Sequence, residues 1–149
     1  MNKNILLIIS ALFHLSLLSE NRISLGTYTH FNSKPEHEND KIILNYDYFY
    51  SNNNFYGLAL FNNSFGQFSQ YIYKGHKFDS KFNKIHIEIS YGILHGYKDK
   101  YQDRIPINTE EGFGIALIPS VYYTKNKNHF FALSLMGSAG LILSYAKKF

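Results

Sequence analysis

The sequence predicts an all-β protein, an eight-stranded antiparallel closed transmembrane β-barrel of the outer-membrane type. Three observations lead there: hydrophobicity alternates with period two through eight segments, the connections between them are by turns short and long, and an aromatic residue, Phe149, closes the last segment. A chain of 149 residues has room for one domain. Phe and Tyr supply 17% of it with no Trp, beside 45% hydrophobic residues and a mean hydropathy of -0.24. Such a mixture suits strands that alternate apolar and polar positions and keep aromatics for interfaces.

Lys3 precedes an apolar run over 5–18, interrupted by Ser10 and His14 and followed by Ser19 and Glu20. A membrane helix needs about 20 apolar residues, so this run is too short and too broken to span. It reads as a signal peptide, 1–19, which leaves 20–149 as the barrel domain. The period-two pattern then predicts β1 at 22–31, β2 at 41–50, β3 at 55–63, β4 at 69–78, β5 at 84–94, β6 at 111–123, β7 at 129–136 and β8 at 141–149. The connections 51–54, 79–83 and 124–128 are short and rich in Asn, Lys or Asp, as tight turns require. The connections 32–40 and 95–110 are longer and polar. Long and short connections therefore fall on opposite ends, short ones towards the periplasm and long ones outside.

Alternation is sharpest in β5, where Ile85, Ile87, Ile89, Tyr91 and Ile93 share one face while His86, Glu88, Ser90 and Gly92 share the other. Alternation alone does not say which face is outside. The small residues do: Gly26, Gly57, Ala59, Gly92, Ala132 and Ala146 fall opposite the bulky set, and a narrow eight-stranded interior has room for small side chains. The bulky face is therefore expected in lipid, with Tyr and Phe forming girdles near the strand ends. Phe149 shares a face with Leu141, Leu143 and Tyr145, a pattern that resembles the signal recognised by the outer-membrane assembly machinery. Lys147 breaks the apolar face so near the end that it can snorkel to the interface.

Several function classes drop out. There is no Cys, so disulfides and thiolate metal sites are excluded, and no zinc spacing, calcium loop or phosphate-binding Gly-rich loop occurs. No cofactor and no metal is expected. The net charge of +4 comes from scattered lysines rather than a basic run, so nucleic acid is not an expected partner.

If β1 starts in the periplasm, the outer ends of β1 and β3 lie on one rim. There stand His30, on the inward parity of β1, and the pair Asn63 and Ser64 closing β3. An imidazole and a hydroxyl at a membrane surface are the minimum parts for acyl transfer, a base plus a hydroxyl that is nucleophile or oxyanion donor. Residues 63–66 also read as an ordinary turn and His30 as an ordinary rim histidine.

The segment 57–75, GLALFNNSFGQFSQYIYKG, resembles the strand, Asp-Ser rim motif and returning strand of the lipid A palmitoyltransferases of the outer membrane. His30, the run Ile118-Pro119-Ser120-Val121 and the terminal aromatic support the likeness. The resemblance implies transfer of a fatty-acyl chain from a phospholipid donor to a lipid A acceptor, with His30, Ser64 and Asn63 in the places of the family's His, Ser and Asp. Asn63 departs from that pattern, since an amide orients its neighbours but carries no charge. A carboxylate restored there is expected to raise activity.

An acyl pocket is expected above a polar floor of Asp47, His86 and Glu88, with Gly26, Gly57, Ala59 and Gly92 leaving the space. The same three polar residues also read as a hydrogen-bonded plug. A second function, from a different class, is a non-enzymatic barrel working through its external loops in surface modification, receptor masking or lipopolysaccharide contact, with Lys98, Asp99, Lys100, Tyr101, Asp103 and Arg104 as contacts.

Overall fold

The computed structural model describes residues 20–32, 37, 41–105, 107–109 and 111–149, and the expected signal peptide lies outside them. Among the described residues the chain forms β1 (Glu20–His30), β2 (Ile42–Phe49), β3 (Asn54–Asn62), β4 (Phe68–Asp79), β5 (Ile85–His95), β6 (Phe113–Asn126), β7 (His129–Leu135) and β8 (Gly140–Lys148). Each strand pairs antiparallel with the next, and β8 returns to pair with β1, so the sheet closes into a barrel with no free edge. β6 runs three residues further than its pattern suggests. A register shift between Thr124 and Asn126 lets the polar end of the strand stay paired up to a tight turn at 127–128. Between β5 and β6 a short 3-10 helix (Asp99–Arg104) sits within the long connection.

The alternating pattern decides the two faces. Leu25, Ile72, Ile93, Leu117 and Leu143 point outward and are 57–61% exposed. A band of exposed Ile and Leu this continuous needs a covering, and in a closed barrel the covering is lipid. His30, Asp47, Glu88 and Ser90 all point inward.

The interior holds more bulk than the expectation of small residues allows. Tyr28, Phe49, Phe55, Tyr71, Tyr73 and Tyr122 are all buried inside. Glycines on the same wall make the room: a Cβ on Gly57 would lie 2.3 Å from the Tyr73 ring, and one on Gly75 2.1 Å from Phe55. Large rings and missing side chains thus alternate on the β3–β4 wall.

The periplasmic half is closed by a buried charged plug. Arg22 donates from Nη1 and Nη2 to Glu88 at 2.7 and 2.6 Å and from Nε to Asp47 at 2.9 Å. Tyr73 donates to the other Asp47 oxygen at 2.7 Å, and His86 Nε2 lies 3.1 Å from Glu88. The guanidinium lies between the rings of Phe49, Phe55 and Tyr122. Every charge here has hydrogen-bonded partners, the condition under which ions are tolerated in such an interior.

Candidate active site at the outer rim

His30 is the last residue of β1 and points inward, while Ser64 follows β3 by two positions. The closed sheet brings them together: His30 Nε2 lies 2.7 Å from Ser64 Oγ. The other ring nitrogen, Nδ1, lies 3.1 Å from the Ala139 carbonyl oxygen. A carbonyl only accepts, so Nδ1 carries the proton and the Nε2 lone pair receives the Ser64 hydroxyl. Base and hydroxyl are thereby aligned as proton transfer from Ser64 to His30 requires.

The group that orients the imidazole is a main-chain one. Ala139 O also accepts the Phe31 N–H at 3.0 Å, and its own N–H is tied to Met136 O, so the β7–β8 hairpin fixes the ring. Asn63 plays a different part. Its Oδ1 accepts the N–H groups of Phe65 and Gln67, and its Nδ2 donates to Gly96 O at 3.2 Å and towards Gln67 Oε1 at 3.4 Å. All four bonds go to the Ser64 turn and the β5–β6 connection, so Asn63 shapes that turn instead of facing the imidazole. Fully buried, it is a structural clasp.

The β5–β6 connection folds over the barrel mouth. Lys98 exchanges backbone bonds with the Gln67 amide, Phe65 stacks on Tyr101 with ring centroids 3.9 Å apart, and Ile105 is buried beneath. Burial pushes the Tyr97 hydroxyl well above the ordinary tyrosine range. His37 lies over the His30 ring, centroids 4.5 Å apart.

Below the His30–Ser64 pair lies a cavity of about 270 Å³. Its upper wall is apolar, with Ile43, Leu94, Ile118 and Ile142, and Arg104 stands at its mouth. Of the expected pocket residues, Ala59 lines this cavity. Gly26, Gly57 and Gly92 do not, because neighbours occupy the space they leave: Ser144 and Leu143 at Gly26, the Tyr73 ring at Gly57 and the Ile72 backbone at Gly92. They permit close approach of strands and rings. Asp47 and Glu88 do face the cavity from the plug.

The wall is also open to one side. The β6–β7 ladder begins only at Ser120 with Ser134, although β6 is paired to β5 as far as Phe113. Pro119, at the point where the ladder stops, has no N–H to offer. Ile115 and Leu117 have lipid-facing parity, yet both border the cavity. The cavity therefore meets the bilayer between the outer half of β6 and the β7–β8 hairpin.

Sequence reasoning missed Arg22, although its parity with His30 on β1 made its inward direction legible. It also missed Ala139, for which no sequence signal exists because the acting atom is a carbonyl.

No family model and no curated protein matches the chain. Solved structures do. A de novo designed transmembrane β-barrel is similar with a TM-score of 0.60 at 12% identity, covering 88% of this chain and 95% of that one. The N-terminal β-barrel domain of Pseudomonas aeruginosa OprF gives 0.54 at 12% identity, covering 87% and 97%. The Yersinia pestis outer membrane protein Ail, in a phospholipid bilayer nanodisc, gives 0.51 at 13% identity, covering 88% and 99%. The class is thus defined: this chain has the eight-stranded transmembrane barrel fold of outer-membrane proteins.

Proposed function

We propose that this protein is an outer-membrane acyltransferase that moves a fatty-acyl chain from a phospholipid donor to lipid A or a related outer-leaflet acceptor. The observation that carries this reading is the Ser64 hydroxyl held at 2.7 Å on the lone-pair side of His30 Nε2, directly above an apolar cavity that opens sideways to lipid. The resemblance to the lipid A palmitoyltransferases points the same way.

In this reading the donor's acyl chain enters through the gap beside β6, which sets its ester at the rim. Ser64 Oγ attacks the ester carbonyl while its proton passes to His30 Nε2. The tetrahedral intermediate collapses, and the lysophospholipid oxygen leaves with that proton. An acceptor hydroxyl then attacks the acyl-serine, gives its proton to His30, and Ser64 is regenerated on taking it back. The Ala139 carbonyl holds Nδ1–H throughout and stabilises the imidazolium as it forms. Phe149, at the periplasmic end, would serve the assembly machinery.

Lipid A mass spectra from cells with and without the protein test this reading. An acylated product should appear with the wild type and vanish with His30→Ala or Ser64→Ala while the barrel stays folded, since losing a general base costs about 10²–10⁴ in rate. Identical spectra for all of them would overturn it. The external loops, with exposed Lys98 and Lys100, would then carry the function.

A further inference from the structure

Lysines that lie scattered along the sequence are gathered by the fold at the periplasmic end of the barrel. Every corner of that end carries one or two: Lys74 beside the β2–β3 turn, Lys81 and Lys84 in the β4–β5 turn, Lys125 and Lys127 at the β6–β7 turn, and Lys147 at the end of β8. Two further lysines, Lys77 and Lys148, are paired with Asp79 and Glu20, the acidic side chains of this rim. Among the described residues none of the other six has a carboxylate partner. The opposite end has the reverse balance, since the connections 31–41 and 96–112 together carry five basic and seven acidic residues. The net charge of +4 is therefore strongly polarised along the barrel axis.

The rim lysines stand in a fixed relation to exposed aromatic rings. Lys125 and Lys147 lie two residues beyond Tyr123 and Tyr145 on the same lipid-facing parity. Phe82, 71% exposed, shares the β4–β5 turn with Lys81 and Lys84. Lys74 pairs with Tyr56 on the outward face, and its ammonium reaches to 6.0 Å from the centroid of the Tyr50 ring, on which Tyr56 is stacked. Two residues of strand, at about 3.3 Å each and a tilt of about 40°, carry an ammonium roughly 5 Å beyond its ring. Rings of this kind settle where acyl chains meet headgroups, so the ammonium groups reach the layer of the lipid phosphates.

We propose that this basic ring binds anionic glycerophospholipids of the inner leaflet in preference to zwitterionic ones, and so anchors the periplasmic end of the barrel. A zwitterionic headgroup brings its own cation up to the ammonium, whereas a headgroup of net negative charge brings none. The distribution of the charge favours lipid over a docked protein. Charge on all four corners matches a leaflet that surrounds the barrel, while a protein partner would need it gathered on one side. Each lysine held near an anionic surface strengthens binding about fivefold. This inference does not rest on acyl transfer.

The test places the full barrel in nanodiscs of equal parts phosphatidylglycerol and phosphatidylcholine with the same acyl chains, and reads the lipids retained on the protein by native mass spectrometry. Wild type should retain phosphatidylglycerol over phosphatidylcholine by about fivefold or more. Lys84→Gln/Lys125→Gln/Lys147→Gln should lower that ratio by about threefold or more, and Lys41→Gln/Lys98→Gln/Lys100→Gln, which removes the same charge from the outer end, should leave it unchanged. If the rim variant does not fold, Lys81→Gln/Lys84→Gln and Lys125→Gln/Lys127→Gln are read in its place, and each should lower the ratio. Equal retention of the two lipids by wild type overturns the proposal, as does an equal fall in the rim and outer variants. Wild type that shows no lipid preference but sediments with purified peptidoglycan, while the rim variant does not, would assign the ring to the wall polymer and overturn the lipid assignment.

Discussion

His30 shows how much one residue's neighbours decide. A carbonyl on one ring nitrogen fixes the tautomer, and the tautomer turns the lone pair of the other nitrogen towards the Ser64 hydroxyl. Residue type and strand-end position were legible in the sequence. The orienting group was not, because any residue at 139 supplies a carbonyl. Asn63 is the instructive case: likeness to an Asp suggested that a carboxylate there would help, whereas the structure gives its amide two donor tasks. Asn63→Asp places an acceptor against Gly96 O and Gln67 Oε1, so we expect the β5–β6 connection to loosen at a cost of about 1–3 kcal/mol. Acyl transfer should fall or hold steady, and faster hydrogen exchange at 96–98 should accompany it; a rise in activity would contradict this placement. Lower in the barrel, Arg22→Met leaves Asp47 and Glu88 without their cation and is expected to destabilise by about 3–5 kcal/mol. Urea titration of the folded band on cold gels measures that loss.

At the scale of the element, period two was sufficient to find all eight strands and to sort each into two faces, because one residue of slippage would exchange lipid and interior positions throughout a strand, but it took the small residues to say which face is inside. β5 gives the cleanest check. Ile89→Arg puts a charge on the lipid face near the middle of the strand and should cost about 2–4 kcal/mol. Ser90→Asn, one residue on, faces the polar interior above Glu88 and should cost far less. Equal losses would mean that the faces are not as described. Period two could not disclose which interiors hold rings, since Tyr71 and Tyr73 obey the same alternation as Ser69 and Gly75, and the fit of Tyr73 depends on Gly57 of the neighbouring strand. The gap beside β6 was equally hidden. It arises from the short length of β7 relative to β6, a difference between partners that neither pattern carries alone.

For the whole molecule, a closed barrel with an apolar outer face is expected to fractionate with outer membranes and to migrate faster unheated than boiled; recovery as a soluble periplasmic protein would contradict it. Removal of Phe149 should lower assembled yield, because its N–H and C=O are both bonded to Asn21 and close the final rung. That rung has a consequence in time. β1 is synthesised first, yet one of its two neighbours, β8, comes more than a hundred residues later. Until β8 is made, β1 presents an unpaired edge, and non-local pairing of this kind is slow. The early strands must therefore be kept apart from one another and from other chains while they wait, so successful maturation depends on escort to the membrane as an extended polypeptide. A nonsense mutation within β8 should yield degraded or aggregated protein and no shortened barrel, since seven strands would leave two adhesive edges where the complete chain has none.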